Sequence, residues 1–303
     1  MAISRSQLVK ELEPGLNALF GLEYKRYENQ HAEIYTTESS DRAFEEEVML
    51  SGFANAQVKG EGAGVSYDEA QETFTARYSH ETVALAFAIT EEAIEDNLYD
   101  RISSRYTKAL ARSMSNAKQV KSVEPLINGL PSTGTFKSGD GVALFSTAHP
   151  TVAGTFKNTL TTQADLNETS LEQSLIDIAA MTDERGLRIA ARGVKMIIPS
   201  ELQFTAERLM KSQGRTATAD NDINAIVSMG MIPQGYRVNN YLTDSDAFYI
   251  ITDVPNGMKM FQRAPLKTAM EGDFDTGNVR YKARERYSFG VSDPRGIFGV
   301  EGA

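Results

Sequence analysis

The residues able to do chemistry are few and scattered. The chain has three histidines, His31, His80 and His149, and no cysteine among 303 residues. The histidines lie far apart with no partner at ligand spacing, which argues against a zinc site, and the missing thiols remove disulfides and thiolate chemistry. Neither G-x-S-x-G, H-E-x-x-H nor a phosphate-cradling P-loop occurs. Gly60, Gly62 and Gly64 have the wrong spacing for a dinucleotide fingerprint and precede no helix start, so they suit a flexible loop tip. Glu91/Glu92 and Glu95/Asp96 could hold a metal or serve as acid and base, but a position at the start of a helix explains them through its dipole. The sequence therefore points to a protein with no enzymatic role, no cofactor and no metal.

Charge placement is more informative. In NVRYKARERYSFGV, Arg280, Lys282, Arg284 and Arg286 form one face of a strand, and Val279, Tyr281, Ala283, Tyr287, Phe289 and Val291 form the other. Like charges along one face repel unless anions lie opposite. The expected anions are carboxylates of the same or an adjacent subunit, with Glu45, Glu46 and Glu47 or the Glu91 region as candidates; DNA phosphate or solvent is the alternative. A net charge of −10 argues against a tight nucleic-acid binder, whose contacts need a basic surface. It does not argue against a protein that lies near DNA without sticking. The length allows one large domain or two small ones. No apolar run approaches the roughly 20 residues of a membrane span, and MAISRSQLVKELEP lacks the apolar stretch of a signal peptide.

The elements that position these residues follow from periodicity. Thr90 to Glu124 is expected as one long helix, N-capped by Thr90 and stopped by Pro125, with Leu98, Ile102, Tyr106, Ala109, Ser113, Ala117 and Val120 on its packing face. Before it, residues 54–89 read as a long hairpin-like excursion. A Gly-rich half, KGEGAGVSYDEAQ, is followed by alternating Phe74, Ala76 and Tyr78, and after Ser79-His80 the parity switches into a buried strand, Val83 to Ile89. Such a ribbon is marginal alone, which suggests a docking element. Residues 1–45 form an arm whose weak helix, with Leu8, Leu12, Leu16, Leu19 and Phe20, breaks near Pro14-Gly15. The arm has too little apolar surface for its own core and should rest on the body or a neighbour. Capping boxes at Thr169–Glu172 and Ser200–Gln203 start two helices, the first ending at Gly186. Strands at 194–198, 236–242 and 248–251 complete a compact α/β unit over about 169–261.

The order of these pieces resembles the major capsid proteins of tailed bacteriophages with the Hong Kong 97-type fold, an α+β class. The residues carrying the resemblance are AFAITEEAIEDNLYD, ALFSTAHPTVAGTFKN, MTDERG, VKMIIPSELQFTAERLM and SDPRGIFGVEGA, spanning most of the chain. The resemblance implies an N-arm (1–45), an extended E-loop hairpin (46–89) and a peripheral P-domain with a spine helix (90–168 and 262–303). It also implies an axial A-domain (169–261), whose tip lies near 212–235. It implies self-assembly into hexamers and pentamers of an icosahedral shell around double-stranded DNA, in a virion built in the bacterial host cytoplasm. A separate scaffolding protein, a portal and weak non-specific contact with packaged DNA are the expected partners, with no membrane. The inter-subunit contact candidates are Glu45, Glu46, Glu47, Lys59, Phe74, Arg77 and Tyr78 of the hairpin and Arg280, Lys282, Arg284 and Arg286 of the ladder. Some members join subunits through lysine–asparagine bonds from the E-loop. Lys59 is the only lysine between 54 and 89, and no crosslinking is expected. The alternative is an encapsulin-like shell holding cargo enzyme.

Overall fold

A computed structural model describes residues 5–90, 92, 99–214, 222–273 and 277–303. Helix α1 (Arg5–Arg26) leads into β1 (Thr36–Ser39), β2 (Phe44–Leu50), β3 (Glu72–Ser79) and β4 (Glu81–Ile89). Helix α2 (Tyr99–Asn128) follows, then β5 (His149–Thr151), β6 (Gly154–Phe156) and α3 (Glu168–Ala179). Strand β7 (Gly193–Ile198), α4 (Gln203–Lys211), α5 (Ala225–Met229), β8 (Tyr236–Val238) and β9 (Phe248–Thr252) come next. The chain closes through β10 (Met258–Gly272), β11 (Val279–Val291) and β12 (Ile297–Val300). Glu91, Glu95, Asp96 and Leu98 lie outside the described residues, as do 215–221 of the expected axial tip.

Two mixed layers hold the fold together. One is a four-stranded sheet in the order β1-β10-β11-β4, with α1 and α2 packed on one face. Strand β11 shows the expected alternation: Val279, Tyr281, Ala283, Tyr287 and Val291 are buried, and Arg280, Lys282 and Arg284 are exposed. The second sheet has the order β12-β9-β7-β8, in which β8 runs parallel to β7 and the other pairs are antiparallel. Its core includes Leu171, Leu175, Ile178, Met196, Ile198 and Phe248. The last strand, β12, supplies its edge, so the unit read as 169–261 is completed by residues far along the chain.

Several local expectations are corrected. Helix α1 runs unbroken through Pro14, because Leu16 and Phe20 bury against Leu110, Ala111 and Met114. That packing offsets the ~3 kcal/mol that proline costs inside a helix. The arm therefore rests on its own body. Pro125 likewise lies inside α2, whose last turn is held by the buried Leu126 and by Leu130 just beyond it. The buried face of α2 is Thr107, Leu110, Ala111, Met114, Lys118, Gln119 and Ser122, while Tyr106, Ala109, Ser113 and Val120 of the expected face are exposed. Three of the polar residues on this face meet a specific partner: Lys118 pairs with Glu285 at 3.3 Å, Gln119 Oε1 accepts from the His31 amide at 3.0 Å, and the Ser122 carbonyl accepts from Tyr35 at 2.6 Å. Strand β4 is not buried; it is the edge of its sheet, with Leu85 exposed.

The capping box of helix α3 lies two residues earlier than expected, formed by Asn167 and Ser170, and the helix ends at Ala179. Gly186, at φ +81°, instead turns the tight Asp183–Leu187 loop. Ser200 opens a short 3₁₀ turn before α4 rather than capping it. Strand β10 went unread in the sequence. Pro265 interrupts its pattern, and the structure places that residue in a bulge between Ala264 and Lys267, where the missing N–H costs no ladder bond.

Candidate assembly surfaces

The hairpin begins as an antiparallel pair, Phe44 opposite Ser79 and Leu50 opposite Glu72, closed by Ser51 N–H donating to Gln71 O at 2.9 Å. Every residue from 53 to 72 is exposed. The tip turns at Gly60–Ala63 through Gly62 at φ +75°. It presents apolar groups to solvent, with Val58 100% and Tyr67 94% accessible. Hydrophobic residues at a glycine-rich tip gain nothing within the subunit, so a partner surface is the natural place to bury them.

The root of the hairpin is fixed by contrast. Tyr78 is 2% exposed, stacks edge-on against Phe261 at 4.8 Å and hydrogen-bonds Ser292 Oγ. Its ring lies over Gly290, where an added Cβ would fall 2.6 Å from the ring. His80 bridges Ser40 Oγ and Ser288 Oγ, each at 2.9 Å, and burial, reinforced by Arg286, holds its pKa below the usual imidazole value. Lys259 reaches both Glu38, at 3.1 Å, and Glu47. Burial would lower the lysine pKa, but the hydrogen bonds it donates to these two carboxylates outweigh burial and raise it.

The residues singled out in the sequence thus divide. Lys59 is exposed at the tip, whose return limb is touched by Arg185, 3.6 Å from Asp68 and donating to the Glu69 carbonyl, while Phe74 is half-buried against Gly139. Tyr78 belongs to the subunit's own core, which corrects its reading as a contact residue. Arg77 lies over the Phe44 ring at 4.0 Å and pairs with Glu46 at 3.8 Å. Glu45 accepts from Ser40 at 2.7 Å and Glu47 pairs with Lys259, so within the subunit the acidic run does not meet the basic ladder. Arg280 pairs with Asp273 at 2.5 Å. Among the described residues Lys282, Arg284 and Arg286 form no ion pair.

Two sequence stretches that looked separate meet in a buried polar junction. His149, fully buried, contacts Asp140 Oδ2 at 2.6 Å through Nδ1 and Asn158 Oδ1 at 3.0 Å through Nε2. Asn158 donates to the carbonyls of Leu144 and Pro294 at 2.7 and 3.0 Å. Arg295 pairs with Glu184 at 2.6 Å and Asp293 at 3.3 Å and donates to Thr182 O. The Phe156 ring is stacked by His149 and by the Arg295 guanidinium, at 4.8 and 4.1 Å. Burial would raise the Asp140 pKa, but hydrogen bonds from His149 and Ser138 outweigh it and hold the carboxyl below the usual range. Burial raises Asp293 despite Arg295. With every ring nitrogen of His149 engaged and no solvent access, this is a structural lock rather than a reaction centre.

A second buried pair went unnoticed in the sequence. Lys118 lies 3.3 Å from Glu285, whose carboxylate also meets the Tyr24 hydroxyl at 3.4 Å. The signal was present: Glu285 has the parity of the apolar face of β11, where a lone acid implies a buried partner. Among the described residues no group of three or more His, Asp or Glu is arranged to hold a metal, and no helix is long and apolar enough to cross a membrane.

Comparison with known proteins agrees with a shell element. No curated protein sequence matches the chain. The fold is similar to the capsid of an empty GTA particle, with 15% identity, 90% of this chain and 89% of that one covered, and a TM-score of 0.56. It is also similar to the capsid of Myoviridae phage XM1, with 11% identity, 89% of each chain covered and a TM-score of 0.54. A virus-like particle from Pyrococcus furiosus shares 11% identity over 94% of this chain and 98% of that one, with a TM-score of 0.51. The family described as phage capsid protein matches residues 72–300, from the return strand of the hairpin through the last strand of the second sheet, and the chain belongs to that family.

Proposed function

We propose that this capsid protein is the major shell subunit of a tailed phage, assembling as hexamers and pentamers into a closed icosahedral shell around double-stranded DNA. The single observation that carries the reading is the hairpin: a rigidly rooted ribbon whose tip, residues 53–72, is exposed throughout and bears Phe53, Val58, Val65 and Tyr67. A free subunit gains nothing from such a tip, whereas symmetry repeats each tip contact around every capsomer. In this reading residues 46–89 act as the E-loop and α2 as the spine of a peripheral domain formed by 90–168 and 262–303. The unit 169–261 is the axial domain, and residues 1–45 are the arm. The acidic balance of the chain suits an inner wall along which packed DNA slides. Assembly takes place in the host cytoplasm with scaffolding and portal proteins as partners.

Expression of the chain followed by sedimentation and electron microscopy tests the proposal, with closed particles as the expected result. Replacing 53–70 with a short Gly-Ser turn, which spares the buried Tyr78, should leave a folded subunit and no particles. Normal shells from this variant would overturn the role given to the hairpin. Particles that protect enzyme cargo rather than DNA from digestion would replace the virion reading with a nanocompartment.

A further inference from the structure

Beyond its root the hairpin has no ladder to hold it. The last paired residues are Leu50 and Glu72, followed by Ser51, whose N–H donates to the Gln71 carbonyl and whose Oγ accepts from the Gln71 amide at 3.0 Å. A cleft of about 320 Å³ opens between Gln71–Phe74 and the body residues Asp140, Thr151 and Glu184, so the limb stands off the body as it leaves the root. A lone two-stranded ribbon frays and pivots at such a point. Two side chains act against this. Asp68, on the return limb, accepts from the Ala54 amide of the outgoing limb at 2.6 Å and from the Glu69 amide at 3.0 Å, closing the two limbs on each other. Arg185, on the body, lies 3.6 Å from the same carboxylate and donates to the Glu69 carbonyl. The Asp68 carboxyl is held below the usual carboxylate range, chiefly by the Ala54 amide, so the anion that Arg185 meets is present.

An ion pair at a surface ordinarily contributes little, because two long side chains must be ordered to make it. Here the ordering is supplied in advance. Arg185 stands on the tight Asp183–Leu187 loop, where Asp183 Oδ1 accepts from the amides of Arg185 and Leu187 at 2.9 and 2.7 Å. The preceding residue, Glu184, is buried and pairs with Arg295 at 2.6 Å, and its carbonyl accepts from the Ala153 amide at 3.1 Å. The Arg185 side chain is 20% exposed, and its Nε is sealed from water with no acceptor. A free arginine would leave that position to hydrate Nε, so the side chain stays because its other end is engaged on Asp68 and Glu69. We infer that Arg185 and Asp68 form a clasp that fixes the direction in which each subunit presents its hairpin, so that a neighbour meets a ribbon already aimed. The ordering cost is then met on folding rather than at every docking. The inference rests on the shell reading and adds to it the pair of residues that aims the hairpin.

Hydrogen exchange read by mass spectrometry tests the clasp on the soluble subunit, whether or not shells form. Arg185→Ala should raise exchange in 52–57 and 66–71 by about tenfold, while the root strands 44–50 and 72–79 and the unfolding midpoint stay as they were. Arg185→Lys, which restores a charge for Asp68 but not the forked donor, should recover part of the protection. The same Arg185→Ala change should slow shell assembly, followed by light scattering, by about threefold or more. Because the chain has no cysteine, Asp68→Cys/Arg185→Cys can be joined by a short bis-maleimide. The unjoined variant should assemble as slowly as Arg185→Ala, and the joined one at the rate of the unaltered chain. Exchange and assembly both unchanged in Arg185→Ala would overturn the inference, and so would faster exchange with normal assembly. A joined variant that fails where the unjoined one assembles would show that the contact must open, which also overturns it. If hairpin truncation abolishes particles while these variants assemble normally, the shell reading stands and this inference alone falls.

Discussion

The hairpin tip and the buried junction around Phe156 place their polar groups in opposite ways. In the junction, Asp140, His149, Asn158, Glu184, Asp293 and Arg295 find partners within the subunit and are closed off from water. In the tip, residues 53–72 are all exposed, and the large apolar groups Phe53, Val58, Val65 and Tyr67 stay open to solvent, with Arg185 reaching only Asp68 and the Glu69 carbonyl on the return limb. The first arrangement suits a part whose geometry must not change when subunits meet. The second suits a part whose energy is realised only on meeting. A change in the junction should act on the subunit, and a change in the tip only on the assembly.

The largest effect should come from breaking the junction at Arg295. Arg295→Ala leaves Glu184 and Asp293 buried without their counter-ion, a loss of about 3–5 kcal/mol in subunit stability by denaturant or thermal unfolding. Arg295→Met with Glu184→Gln should recover part of this, since the uncompensated charge rather than the missing pair dominates the loss. A double variant as unstable as the single one would count against that account. Shell loss here should accompany subunit unfolding and not precede it.

Two glycines give a matched comparison of intermediate size. A Cβ at Gly299 would fall 2.6 Å from the Phe145 ring in the junction, and one at Gly290 would fall 2.6 Å from the Tyr78 ring at the hairpin root. Each alanine substitution should cost about 1–3 kcal/mol through overpacking. Gly290→Ala should in addition raise protease cleavage within 44–79, because it lifts the root from its seat, whereas Gly299→Ala should not. Equal cleavage in both would remove the distinction between a seated root and a closed junction.

The junction also makes a pH prediction. The Asp140 pKa is depressed in the fold, so its ionised form adds stability that is present above the unfolded carboxyl value, about 4. That stability is lost as pH falls through the lower folded value. Asp140→Asn should therefore destabilise by about 1–2 kcal/mol near neutrality. The gap to the unaltered chain should narrow as the solution is acidified. A gap that stays constant down to acid would mean that the ionised form is not what the junction holds.

How far the sequence revealed these regions follows from the physics of each. The long strand β11 was legible because its alternation is local, and so was the return strand of the hairpin with Phe74, Ala76 and Tyr78; the outgoing strand Phe44–Leu50 was not, because Glu45, Glu46 and Glu47 hide its alternation. The packing face of α2 was misread because Lys118, Gln119 and Ser122 are polar and look solvated until Glu285, His31 and Tyr35 are brought alongside. Proline was over-weighted at Pro14 and Pro125, where tertiary packing outweighs a local cost. The junction was invisible as a site, since residues near 150 and near 295 become neighbours only in the fold. Both segments were nonetheless among those carrying the family resemblance.

The smallest expected effect on the subunit is the sharpest test of the contrast. Val58 and Tyr67 are among the most exposed apolar residues of the chain and make no hydrogen bond or ring contact among the described residues. Replacing both with serine removes no packing within the subunit, so unfolding stability should stay within about 0.5 kcal/mol of the unaltered chain. The same residues are the most exposed apolar groups of the tip, and on a neighbour each would contribute roughly 1.5–3 kcal/mol if fully covered. Shell closure multiplies that loss over every interface. Val58→Ser/Tyr67→Ser should therefore sediment as unassembled, folded protein under conditions where the unaltered chain forms particles. Unchanged shells with unchanged stability would show that these side chains are solvated in the particle too, and the tip would then act through its acidic residues alone.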